Sequence, residues 1–163
     1  FIEQAPENVA ATITAYHLFL NRNDLLSGGI KPHHYCLPIV KKEQDRKALV
    51  QAAISGNPKF FLGTDSAPHP KSAKESACGC AGIYTAPYAL QFYAEIFEKH
   101  QALGQLEGFA SCYGTDFYQL PRNTQTVHLI KKNFSIPSKL SFGKEVLIPF
   151  KASTQISWDL ISE

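Results

Sequence analysis

Residues 9–14 read VAATIT, a β-branched and apolar run with no polar alternation, and this pattern predicts a buried strand. Residues 15–40 have no clean period and are broken by Gly28, Gly29, Pro32 and Pro38. A loop of this length inside a compact domain tends to be functional. Residues 43–56, EQDRKALVQAAISG, predict a helix. Acidic residues occupy its first turn, Leu49, Val50, Ala53 and Ile54 form an apolar face, and Gly56 suits the C-terminal cap. A second buried strand is predicted over residues 59–65, KFFLGTD, ending on Thr64 and Asp65. Residues 85–104 predict a further helix, capped by Thr85, opened by Pro87, and carrying Ala86, Leu90, Tyr93 and Phe97 on one face. Residues 108–121 suggest two short helices broken at Gly114. In the tail, TVHLI, EVLIPF and ISWDL predict short strands or an extended wrap.

Strand, long loop, helix, strand is the order of a parallel α/β unit. Two strands do not complete a parallel sheet, which needs several strands and helices on both faces. The expectation is therefore the end of a larger α/β barrel followed by a C-terminal extension. Composition adds little to this picture. Hydrophobic residues make up 44% and charged residues 18% of the 163 positions, and the net charge is +2. That balance gives no electrostatic case for nucleic acid or an anionic membrane. No apolar run approaches the roughly 20 residues of a membrane span. Methionine is absent and the chain opens on Phe1-Ile2, so the expectation is a removed leader or a piece of something longer. Cys36, Cys78, Cys80 and Cys112 are expected as reduced thiols in a cytoplasmic protein.

The candidate chemistry lies in FFLGTDSAPHPKSAKESACGCAG, residues 60–82. In α/β barrels the loops at the C-terminal ends of the strands build the active site. Asp65 holds that position, where a carboxylate can ligate a metal or accept a proton. His69 lies four residues on and can bind an anion. On spacing alone, an Asp ending a strand is more often a turn-former. The C-x-C pair of Cys78 and Cys80 is too tight for the usual zinc spacing. His33 and His34, if extended, point to opposite sides. SGG lacks the lysine of a phosphate loop, and GTDS lacks the pattern of a nucleophile elbow.

LGTDSAPH and KESACGCAG, preceded by ATIT, NRN and KPHHYCLPI, resemble the C-terminal half of the bacterial-type (class II) dihydroorotases of the amidohydrolase superfamily. The resemblance runs into the tail, through IPF and Trp158. It implies an α/β fold that is the C-terminal portion of a TIM-type (β/α)8 barrel. The last two strands and helices would occupy residues 1–120 and the C-terminal extension residues 121–163. It further implies reversible cyclisation of N-carbamoyl-L-aspartate to dihydroorotate at a two-zinc site, in a homodimer. By resemblance, Asp65 is a zinc ligand and general base or acid. His69 holds the substrate carboxylate, and Leu37 and Ala81 contact the substrate. The family's H-x-H pair, carboxylated lysine and other metal-binding histidines are not found in this chain. The isolated chain is therefore expected to be inactive and to need the N-terminal half of the barrel. The rival expectation is a stand-alone, non-catalytic regulatory or assembly module.

Overall fold

The computed structural model describes residues 1–161. β1 (Ala11–Ile13) and β2 (Phe60–Leu62) pair in parallel, with Ala11 opposite Phe60 and Ile13 opposite Leu62. Parallel neighbours need a crossover. Here it runs through α1 (Ala15–Phe19), α2 (Arg22–Leu26) and α3 (Glu43–Ile54). Both strands are shorter than expected. The Val9 N–H closes a turn onto the Pro6 carbonyl, so pairing starts only where the Ala11 N–H reaches the carbonyl of Lys59. Beyond Leu62 the chain leaves the ladder, and Asp65 takes a positive φ of 41° in the loop that follows.

The crossover helices are fixed by their ends. At α2, the Asn21 side chain accepts from the Asn23 N–H, and Asp24 accepts from the Asn21 N–H at 2.7 Å. Such reciprocal capping satisfies backbone donors that the first turn leaves over. At α3, Asp45 accepts from the Lys42 N–H, and the Arg46 guanidinium ties the helix to the Leu18 carbonyl at 2.7 Å. Val50 and Ala53 are its buried residues, while Leu49 and Ile54 are half-buried. His33 and His34 do not lie in an extended segment. They form one 3-10 turn with Pro32, and the His34 ring bonds the Asp24 carbonyl.

α4 (Lys71–Lys74) is a single turn, and α5 (Ala89–Lys99) is the spine of the core. Phe92, Tyr93, Ala94 and Phe97 are wholly buried. Each large side chain so placed contributes roughly 1.5–3 kcal/mol of hydrophobic stabilisation. Of the expected face, Tyr93 and Phe97 are buried, Leu90 is half-buried and Ala86 is exposed. The difference arises because the helix starts only at Ala89, leaving Ala86 in a preceding 3-10 turn, and because α5 is covered on two sides. The Tyr93 hydroxyl donates to the Ile13 carbonyl on β1, while the C-terminal ribbon lies on the opposite face. Thr85 does not cap the helix. Ser66 Oγ, from the loop after β2, accepts from the N–H groups of both Thr85 and Ala86. The break expected at Gly114 lies earlier: a π-turn, Gly108–Cys112, runs directly into α6 (Tyr113–Phe117). Gly114 sits inside α6 because a Cβ there would lie 3.1 Å from the Phe61 ring.

The tail forms strands, as expected. β3 (His128–Ser135) pairs antiparallel with β6 (Gln155–Ile161), and β4 (Leu140–Phe142) with β5 (Glu145–Leu147) makes a hairpin. Two glutamates of α5 fasten the ribbon. Glu95 accepts from the Ser157 N–H and from Lys151 Nζ, and Glu98 accepts from Trp158 Nε1 and from Lys131. Phe150 is buried against Phe19 and Phe92, and its N–H donates to the Tyr84 carbonyl.

Candidate active site

The C-terminal ends of β1 and β2 lie side by side, which brings Tyr16 and His17 next to Asp65. Tyr16 is 1% exposed, and its hydroxyl donates to Asp65 Oδ2 at 2.7 Å. Burial, reinforced by the neighbouring carboxylate, pushes the Tyr16 phenol well above its ordinary value. The phenol is therefore a permanent donor at neutral pH. It fixes one oxygen of an otherwise exposed carboxylate.

The state of His17 follows from its partners. Its Nε2 lies 2.8 Å from the Pro38 carbonyl, which can only accept, so Nε2 carries the proton. In the neutral ring Nδ1 then accepts from the Thr14 hydroxyl, also at 2.8 Å. Burial holds the imidazole below its usual pKa and favours this neutral form. Thr14, His17, Pro38, Ile39, Arg46 and Asp65 are among the residues lining a cleft of about 460 Å³. Leu37, next to Pro38, is 61% exposed, an apolar side chain standing free at the edge of this region.

His69 and Ala81 meet directly. The His69 ring donates through Nε2 to the Ala81 carbonyl at 3.1 Å, which leaves the other ring nitrogen as the acceptor in the neutral form. Gly82 makes this contact possible. A Cβ there would lie 2.6 Å from Ala67 Cβ and 2.9 Å from His69 Cδ2. The pair lies outside the lining of the cleft that contains Asp65. The four residues predicted from sequence thus fall into two groups. Asp65 and the Leu37 loop flank the cleft, and His69 with Ala81 forms the neighbouring wall.

Sequence reasoning missed Tyr16, His17 and Lys74. The first two carry a signal, because they follow β1 directly, at the same end as Asp65. Lys74 has no local signal. It is 3% exposed, and Nζ donates to the carbonyls of Tyr35, Cys80 and Gly82 at 2.9, 2.7 and 2.7 Å. The loop of residues 78–82 is therefore built around an ammonium rather than around its cysteines. All four cysteines are free thiols, and Cys36 is buried. Among the described residues, no group of three or more His, Cys, Asp or Glu side chains is gathered to hold a metal ion. Among them, too, no helix is long and apolar enough to cross a membrane.

No protein-family model matches the chain. It is similar, however, to proteins described as dihydroorotase. It is 61% identical over 160 residues to that of Nitrosococcus oceani and 59% identical over 160 residues to that of Methylobacillus flagellatus. Each match takes in 98% of this chain and 46% of the relative, so the chain spans just under half the length of the relatives it matches. Among solved structures, it superposes on dihydroorotase from Saccharomyces cerevisiae, crystallised with 5-fluoroorotic acid, with a TM-score of 0.86 at 40% identity. It superposes on dihydroorotase from Campylobacter jejuni with a TM-score of 0.86 at 32% identity. The two superpositions cover 96% of this chain and 45% and 46% of those chains. Over nearly its whole length the chain thus matches the C-terminal half of proteins described as dihydroorotase.

Proposed function

We propose that this chain forms one wall of a dihydroorotase active site and acts in the reversible cyclisation of N-carbamoyl-L-aspartate to dihydroorotate. The observation that carries the reading is Asp65, a carboxylate at the C-terminal end of a parallel strand, held by Tyr16 at the edge of a cleft. In this reading β1 and β2 are the last two strands of a (β/α)8 barrel completed by the N-terminal half. Residues 1–120 belong to the barrel and residues 121–163 to its extension. The complete enzyme is a cytoplasmic homodimer.

Asp65 fits one position of a zinc site. Tyr16 engages Oδ2, and Oδ1 remains for a metal or a proton. A catalytic zinc takes about three protein ligands. The others come from the N-terminal half, and the isolated chain is inactive. Zinc, when bound, supplies Lewis-acid polarisation of the carbonyl under attack. The protein's own steps are proton movements and substrate placement. In the hydrolytic direction Asp65 takes a proton from the attacking water and delivers it to the departing ring nitrogen. In cyclisation it takes the proton from that nitrogen as the new C–N bond forms and returns it to the carboxyl oxygen that leaves as water when the C–O bond breaks. His69 and the backbone at Ala81 hold the substrate carboxylate, and Leu37 contacts the ring. The reading of a stand-alone non-catalytic module is not favoured, because this whole chain matches part of an enzyme at 55–61% identity.

The test is Asp65→Asn in the full-length, zinc-loaded enzyme, assayed in both directions. Turnover is expected to fall by about 10²–10⁴-fold with the fold intact, the range for losing a general acid–base group. Turnover close to that of the unmodified enzyme overturns the assignment.

A further inference from the structure

A lysine buried to 3% exposure is uncommon, since an ammonium removed from water needs full compensation. Lys74 obtains it without a carboxylate. Its three N–H groups meet three carbonyls, of Tyr35, Cys80 and Gly82, so its donors are spent on backbone alone. These carbonyls belong to two segments: Tyr35 precedes Leu37 by two residues, while Cys80 and Gly82 bracket Ala81. The Gly82 N–H also donates to the Tyr35 carbonyl, so the same two segments are joined a second time.

The direction of these bonds matters. In a planar trans peptide the C=O and N–H point opposite ways. Turning the Cys80 carbonyl onto Lys74 therefore turns the Ala81 N–H away from it. The next peptide runs the other way round: the Ala81 carbonyl accepts from His69. Gly79 and Gly82 both have positive φ, so this loop has little stiffness of its own. The ammonium and the imidazole between them set both peptide planes of Ala81.

We propose that Lys74 is a positioning residue that aims the Ala81 N–H, and holds the Leu37 segment beside it, for binding of the substrate carboxylate. This rests on the dihydroorotase reading given above. Lys74 does not touch substrate; it acts through the backbone that does.

The experiment is steady-state kinetics of the full-length enzyme with Lys74→Met, which keeps an unbranched stem as far as Cε and removes the ammonium with its donors. KM for carbamoyl aspartate is expected to rise about tenfold or more, the scale of a lost charge-assisted hydrogen bond. Turnover at saturation is expected to stay within about threefold, because Asp65 sits on a different loop. A lysine that served only the fold would lower the melting temperature or the active fraction and leave KM unchanged, and that result overturns the proposal. If Lys74→Met does not fold, Lys74→Gln, with two donors on a shorter stem, decides by the same split. A raised KM supports the role and an unchanged KM refutes it. No turnover by the unmodified enzyme overturns the dihydroorotase reading and this proposal with it. Normal turnover with an unchanged KM in the variant overturns this proposal alone.

Discussion

Tyr16 and Asp65 are 49 residues apart in the chain, yet a hydrogen bond of 2.7 Å joins the phenol of one to the carboxylate of the other. The pairing of β1 with β2 brings them together, since each residue follows the last paired position of its strand. Replacing Tyr16 with Phe keeps the ring in the core and removes only the donor. A hydrogen bond to a charged group contributes about 1.5–3 kcal/mol, so the full-length Tyr16→Phe enzyme should lose about tenfold or more in kcat. Stopped assays at saturating substrate would check this. A kcat equal to that of the unmodified enzyme would show that Asp65 needs no help to stay in place.

The neutral His17 predicts an acid-side loss of stability. Burial sets its folded pKa below the ordinary 6.5. Above 6.5 the ring is neutral in both folded and unfolded chains, and stability is fully present. As pH falls through 6.5 the unfolded chain takes up the proton first, and stability drops until the folded ring also protonates. Urea midpoints between about pH 7.5 and 5.5 should therefore fall more steeply for the unmodified protein than for His17→Gln. Equal slopes would mean that folding leaves the pKa of the ring unchanged.

Ser66 and Thr85 should respond to substitution with opposite signs. Ser66→Ala removes the acceptor for two N–H groups at the start of the α5 segment and should cost about 1 kcal/mol. The Thr85 hydroxyl is buried with no hydrogen-bond partner. Thr85→Val keeps its shape and should stabilise by up to ~1 kcal/mol. Denaturant titrations of the two variants against the unmodified protein measure both. A destabilised Thr85→Val would reveal a partner for that hydroxyl.

Gly82→Ala should disturb binding through His69. The added methyl would press on Ala67 and on the His69 ring from a backbone with φ of 151°. Destabilisation of about 1–3 kcal/mol is expected from the clash. A raised KM should accompany it as the His69–Ala81 contact opens. An unchanged KM in a folded variant would separate His69 from substrate binding.

What could be read in advance divides by distance along the chain. α3 was legible because its acidic first turn, apolar face and terminal glycine all lie within 14 consecutive residues, 43–56. Asp65 and His69 stood out because an apolar run stops on polar residues at the end of a strand. The cap at Thr85 was misread for the complementary reason. The local rule fits Thr85, but Ser66, 19 residues earlier, fills the role. Lys74 was beyond local inference, since two of its three acceptors lie close by and the third, Tyr35, is 39 residues away. Nothing in a single lysine among polar neighbours announces that three carbonyls will converge on it.

The seating of Phe150 makes the distant tail a tenant of the site's own foundation. Its ring fills the space between Phe19 and Phe92 and faces His34, and its N–H holds the Tyr84 carbonyl just past the loop that carries Ala81. On β5, Glu145 accepts a hydrogen bond from the hydroxyl of Ser72 in α4, the turn that ends in Lys74. Clipping the chain ahead of Phe150 would remove none of the residues assigned to substrate or metal, yet it would unseat the ground beneath them. Proteolysis ahead of Phe150 would thus register as lost affinity while every assigned residue is still present.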